Sequence, residues 1–360
     1  MNLLIRTTTL ALGLVFCTVA HADDKIGVVA PISGAFSRLG NQLVDGAAVA
    51  VASDKSGQVA SIITRDDSCT AAGGAEAAKQ LLQSDVLLVI GFLCTESLEA
   101  ALPILGQKGI AIITPAIRSQ TLAELRTDQP FPVFRLAPSN RNEVNETSAI
   151  LADLWRSVPF ALIDDGTIFG RELTSAIRAR LEENGLKPVF SDTYRPGLDN
   201  QNALVSRLKR AGATQVFVGG ERDDVAAIGR SATALNYPLT IIGSEALNAL
   251  GKENDLAVGT LMIAPRAVQI LESARNAKNA IELAGKVPEG YTIASYAAAE
   301  VALDVLSAAR SQAGSIGELL RKTTFNTALG TVQFDAAGER IADTYRLQKY
   351  DGKQFVPETN

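Results

Sequence analysis

Short apolar, β-rich runs alternate with longer stretches of helical spacing along nearly the whole chain. Lys25–Ala30 is the first such run, followed by Leu39–Ser53, where Leu39, Leu43, Ala47, Ala50 and Val51 recur at helical intervals. Val59–Thr64 predicts a second strand and Ala71–Gln83 a second helix. Val86–Ile90, Ile110–Thr114 and Val133–Leu136 continue the strands, with a helix over Thr95–Gln107. Strands that are apolar on both faces and separated by helices predict a parallel sheet covered by helices.

A second set begins after Pro138. Glu143–Ser157 predicts a helix. Strands are expected at Phe160–Ile163, Lys187–Asp192, Gln215–Gly219, Leu239–Ile242 and Leu261–Ala264, with helices Arg171–Glu183, Asn202–Ala211 and Asp223–Leu235 between them. Long helices follow over Val268–Ala284 and Ile293–Arg310. The end changes character: Gly330–Phe334, Thr344–Tyr350 and Gln354–Val356 predict antiparallel strands, with Asp351-Gly352 as the hairpin turn. The chain therefore predicts an α/β fold of two doubly wound parallel-sheet units. The late helices are free to return and cover the first unit. No low-complexity linker is present, which favours several short crossovers over one flexible tether.

The N-terminus adds a compartment. Met1–Arg6 carries one positive charge, Thr9–Val19 is apolar, and Ala20-His21-Ala22 is a small-x-small cleavage site. Residues 1–22 are expected to be an export signal cleaved after Ala22; the alternative is an uncleaved amphipathic N-terminus. The apolar run is shorter than the roughly 20 residues that a membrane anchor needs, and no later window reads as spanning. Cys17 follows Phe16, whereas a lipoprotein site wants a small residue there.

Removing the signal removes the one histidine, His21, and leaves two cysteines, Cys69 and Cys94. Histidine-activated nucleophiles, His-ligated metals and structural zinc are thereby excluded. About 340 remaining residues exceed one ordinary core. A formal charge of −5 with no basic stripe argues against nucleic acid. In an oxidising compartment Cys69 and Cys94 are expected to form a disulfide worth about 3 kcal/mol; two buried thiols are the alternative.

In parallel α/β sheets ligands bind beyond the carboxyl ends of strands. None of the loops there carries a P-loop, a dinucleotide-binding glycine pattern or a nucleophile elbow. Asp66-Asp67 and Asp164-Asp165 read as solvated caps, and the Asn145-Glu146-Thr147 sequon falls in a predicted helix. Thr95 starts a helix, where its hydroxyl and the free N–H groups suit a carboxylate; a plain cap is the even alternative. Glu245, isolated after an apolar strand, suits a ligand ammonium group or is simply a surface acid.

At these loops the sequence resembles the type 1 periplasmic binding proteins, in particular the leucine/isoleucine/valine-binding group. The matching stretches are KIGVVAPISGAFSRLGNQLVDGA, DDSC, VIGFLCTES, IAIITPA, IDDGTIFGREL, FVGGERDD and IIGSEAL, in family order. The resemblance implies two lobes joined by three crossovers near Ala137, Pro265 and Phe334, with a ligand cleft between them. The lobes would be 23–137 plus 266–333 and 138–265 plus 334–360. It also implies a periplasmic protein that delivers a small solute, an amino acid or other carboxylate, to an ABC permease. No enzyme activity, cofactor or metal is expected, and a monomer is. Cys69 and Cys94 fall where the group has its disulfide.

Residue by residue, the resemblance places Thr95 at the ligand carboxylate, Ala116 with neighbouring Ile117 in the segment giving backbone contacts, and Glu245 at the ligand ammonium. Leu39 stands where an aromatic is usual, Arg118 close to a threonine that helps hold the amino group, Phe169 in place of a tyrosine, and Arg222 beside the usual aromatic. Arg118 and Arg222 either meet a second acidic group, point to solvent, or pair with Glu221 and Asp223. A sensor presenting its ligand to a membrane receptor is the alternative binding role, and an exported α/β hydrolase is the rival from another class.

Overall fold

The computed structural model describes residues 23–57, 59–119, 122, 131–249, 256–341 and 345–358. The expected export signal lies outside them. The first sheet contains β1 (Asp24–Ala30), β2 (Ala60–Asp66), β3 (Leu88–Gly91), β4 (Ala111–Thr114) and β5 (Val133–Arg135), in the order β2-β1-β3-β4-β5. All four pairings are parallel. Between them run α1 (Ser37–Ser53), α2 (Ala71–Gln83) and α3 (Thr95–Gly106).

Side-chain alternation explains why this sheet is covered on both faces. Ile26, Val28, Ile90 and Ile113 enter one core, and Val29, Val89 and Ile112 enter another against Leu81, Leu98 and Leu102 of α2 and α3. The first core is closed by chain that arrives much later. The helix Thr292–Ser311 (α9) contributes Ala298, Val301, Ala302 and Val305 to it. Gly46 of α1 allows this approach, because a Cβ there would sit 2.0 Å from the Thr292 carbonyl oxygen. By length and composition this 20-residue helix could cross a membrane, contrary to the expectation that no such window follows residue 22. It is a core helix, with 67% of its most apolar window buried in the protein.

The second sheet has the order β14-β13-β10-β9-β8-β6-β7. Its parallel part is β6 (Phe160–Asp164), β7 (Phe190–Thr193), β8 (Gln215–Gly219), β9 (Thr240–Gly243) and β10 (Leu261–Pro265). The helices α4 (Asn140–Leu154), α5 (Ile168–Glu183), α6 (Asn202–Ala211) and α7 (Arg222–Ala234) accompany it. Strand β13 (Tyr345–Tyr350) adds antiparallel to β10, and β14 (Phe355–Pro357) antiparallel to β13. The turn joining them is at Asp351-Gly352 as expected: Gly352 has φ +104°, and the Asp351 carboxylate accepts from the Lys353 and Gln354 N–H groups.

Between the two sheets the chain crosses after β5, after β10 and again before β13. The segment between the second and third crossings holds α8 (Arg275–Leu283), α9, α10 (Ile316–Lys322) and the hairpin β11 (Phe325–Thr327) and β12 (Gly330–Val332).

The expected helix over Val268–Ala284 is not formed as one piece. Val268–Ile270 and Glu272–Ala274 are single 3₁₀ turns, and Leu271 between them is extended, with ψ 134°. The bend seats Val268 and Leu271 against the first core while Ile270 faces solvent, so burial at the crossing overrides helix propensity. The helix expected from Glu143 starts at Asn140, capped by Ser139, whose hydroxyl accepts from the Asn142 N–H. The strand expected over Lys187–Asp192 pairs only from Phe190. The sequon at Asn145 does lie within a helix.

Candidate functional site

The loops beyond β2 and β3 are joined by the disulfide between Cys69 and Cys94, Cα atoms 5.3 Å apart. Ser68, Cys69 and Phe92 all have positive φ there, a costly backbone state that needs support. Asp67 supplies it. Its carboxylate is fully buried and accepts from the Ser97 hydroxyl at 2.5 Å and the Cys69 N–H at 3.1 Å. Burial raises its pKa, and those two hydrogen bonds oppose the rise. The expected solvated cap is thus an internal brace. Asp165 is likewise buried and accepts from both the N–H and the hydroxyl of Thr167.

This bracing fixes the start of α3. Thr95 is its first residue, half-buried, and the cap position is Cys94, which gives no side-chain cap. The cap position thus falls one residue before Thr95.

The loop after β4 carries the most consequential side chain. Ala116 and Ile117 are buried, the Ile117 N–H bonding to Thr114 Oγ1. Arg118 then reaches across to the second sheet. Its guanidinium donates to Glu245, to Glu143 Oε2 at 3.1 Å, to the Tyr345 hydroxyl at 3.0 Å and, through Nε, to the Pro138 carbonyl at 3.2 Å. Burial disfavours its charge, but Glu245, Tyr345 and Glu143 outweigh this and raise its pKa. Glu143, on α4, is 1% exposed. Burial raises its pKa to about 7; Arg118 pulls it down and Glu245 pushes it up. Tyr345 is buried and its pKa is also raised, first by burial.

Beside this group lies a cavity of about 460 Å³. Ala116, Arg118 and Glu245 line it, as do the crossing residues Leu136 to Pro138, Pro265 and Arg266. Tyr291, Leu329, Arg340 and Arg346 complete its far side.

Of the residues singled out from sequence, the structure brings together Ala116, Arg118 and Glu245. Thr95 and Leu39, each half-buried at the start of a helix, lie outside the cavity lining. Phe169 is half-exposed in a separate surface groove between α4 and α5. Arg222 turns inward within its own half: it donates to the Leu247 carbonyl at 2.5 Å and lies 5.3 Å over the Tyr350 ring. Sequence reasoning missed Glu143, Tyr345, Arg266 and Arg340. Only Glu143 left a signal, an acid sharing the buried face of a predicted helix with Thr147 and Leu151.

The periplasmic binding protein family model matches residues 25–354. Leu/Ile/Val-binding protein homolog 3 of Brucella melitensis is 26% identical over 99% of both chains. Among solved structures, an ABC transporter substrate-binding protein from Desulfitobacterium hafniense in complex with Leu is similar at TM-score 0.68 and 20% identity, over 93% of this chain and all (100%) of that one. The solute-binding protein of an ABC transporter from Rhodopseudomonas palustris in complex with p-hydroxybenzoic acid is similar at TM-score 0.66 and 16% identity, over 94% and 96%.

Proposed function

Since the chain belongs to the periplasmic binding protein family, we propose that it is the solute-binding component of an ABC importer. It captures a small carboxylate-bearing solute between two lobes, 23–137 with 266–333 and 138–265 with 334–360. Members of the family are binding proteins, and the named relative is a Leu/Ile/Val-binding homologue. Capture takes place after export to the periplasm, with the mature chain starting at Asp23.

The observation that carries this reading is the reach of Arg118, from the loop after β4, across to Glu245 in the loop after β9. Strand-end loops of two parallel sheets thus meet at one place, where α/β folds bind ligands. The solute carboxylate is assigned to the start of α3, with the Thr95 hydroxyl and the first N–H groups of the helix as donors. The lobes close over it, and the permease reads the closed shape. No cofactor or metal takes part.

Calorimetry against amino acids, dicarboxylates and aromatic acids tests the reading. Thr95→Ala should weaken the best ligand by about 1–3 kcal/mol. A tight carboxylate ligand indifferent to that change would refute the assignment to α3.

A further inference from the structure

Arginine dominates the ionisable residues of the cavity wall. Four guanidinium-bearing residues line it, Arg118, Arg266, Arg340 and Arg346, against one carboxylate, Glu245. That carboxylate is already committed to Arg118. Arg118 itself is held in place by Glu143, Tyr345 and the Pro138 carbonyl, so its position does not depend on Glu245. Arg340 is half-buried and donates to the Leu329 carbonyl at 2.8 Å, while its Nε is buried without a partner. Pro115, Leu136, Leu271 and Leu329 make much of the remaining wall apolar.

A solute ammonium entering here meets no uncommitted carboxylate. It would have to displace the Arg118 guanidinium from Glu245 and sit beside it, and like charges at short range are strongly unfavourable. An acid without an ammonium escapes that repulsion, and the apolar part of the wall accommodates its body. Resting on the carboxylate-capture reading above, we propose that Arg118 fills the place where a ligand ammonium would meet Glu245. The protein is therefore selective for organic acids that lack an α-amino group, such as 2-oxo or aromatic carboxylates. Arg118 is the specificity-determining residue, and Glu245 acts through it.

Matched pairs differing only at the α-carbon isolate this claim. Titration calorimetry with L-leucine against 4-methyl-2-oxopentanoate, and with L-phenylalanine against phenylpyruvate, should show the oxo acid bound at least about tenfold more tightly in each pair that binds. Arg118→Thr should free Glu245 and reverse the preference. Because that change strips the buried Glu143 of its partner, the double variant Arg118→Thr/Glu143→Gln is measured beside it and should show the same reversal. An amino acid bound by the wild type as tightly as its oxo counterpart would overturn the proposal. If that amino acid were weakened by Thr95→Ala, the carboxylate reading would survive and only the ammonium assignment would fall. No binding of any carboxylate in the panel would overturn both.

Discussion

Replacing Glu143 by glutamine should change how the stability of the second lobe depends on pH. The carboxyl group is 1% exposed, one oxygen accepts from Arg118, and the other is buried without a partner. Burial moves its pKa from 4.5 to about 7, despite the opposing pull of Arg118. The folded protein therefore holds a proton that the unfolded chain gives up between these two values. Stability is undiminished below about pH 4.5 and falls as pH rises through 7, because each tenfold weakening of an acid on folding corresponds to about 1.4 kcal/mol against its ionised form. The loss amounts to about 3 kcal/mol. Glutamine has the same shape and cannot ionise, so Glu143→Gln removes this slope. The exchanged hydrogen bond to Arg118 adds a separate offset, equal at every pH where the acid is neutral. Urea unfolding followed by fluorescence is the assay. The one tryptophan, Trp155, caps the same helix, is buried, and stacks on Phe160 with ring centroids 4.6 Å apart. The variant should gain on the wild type by about 3 kcal/mol between pH 4.5 and 8. Unfolding free energies that run parallel across that range would show that Glu143 is ionised throughout, and the reasoning would fail.

Two further predictions concern covalent and ionic ties. Replacing both Cys69 and Cys94 by alanine opens a loop of 25 residues and should cost about 3 kcal/mol. Calorimetric melting of the oxidised protein and the variant measures it, and equal melting temperatures would mean the link contributes nothing. Arg135, fully buried, makes two hydrogen bonds to Glu339, at 2.9 and 2.6 Å. Arg135→Met should cost about 3–5 kcal/mol by taking both of these hydrogen bonds from a buried carboxylate, and the double change with Glu339→Met should recover most of it. A double variant no more stable than the single one would place the cost in lost packing instead.

How much was legible follows from the range of each interaction. The elements around β1, β3 and β4 were readable because their apolar character is local and the parallel sheet buries both faces. The Cys69–Cys94 link was readable because both cysteines sit just beyond strand ends. The bend at Leu271 was not, since it depends on a core built by β1, β3 and α9. Arg118 and Arg222 looked alike in the sequence, each an arginine after a strand. The structure separates them: Arg118 meets residues 25, 127 and 227 positions away, whereas Arg222 serves the packing of its own half. Locally, Glu245 suits a ligand ammonium or is simply a surface acid, because no residue near it in the sequence neutralises it. Its partner comes from the other sheet, and no periodicity within one segment records that.

The ion pairs near the crossings differ in how much each costs to break. Arg135–Glu339 ties β5 to the third crossing with both groups buried, and breaking such a pair costs several kcal/mol. Arg118–Glu143 rests on a carboxylate that is almost wholly buried. Arg118–Glu245 differs: its side chains are 27% and 31% exposed, so water replaces the partners as they part, and the cost is nearer 1 kcal/mol. Of the three, the Arg118–Glu245 contact is therefore the least costly to break. Its loss would leave the Arg118 guanidinium bonded to Glu143 Oε2, the Tyr345 hydroxyl and the Pro138 carbonyl.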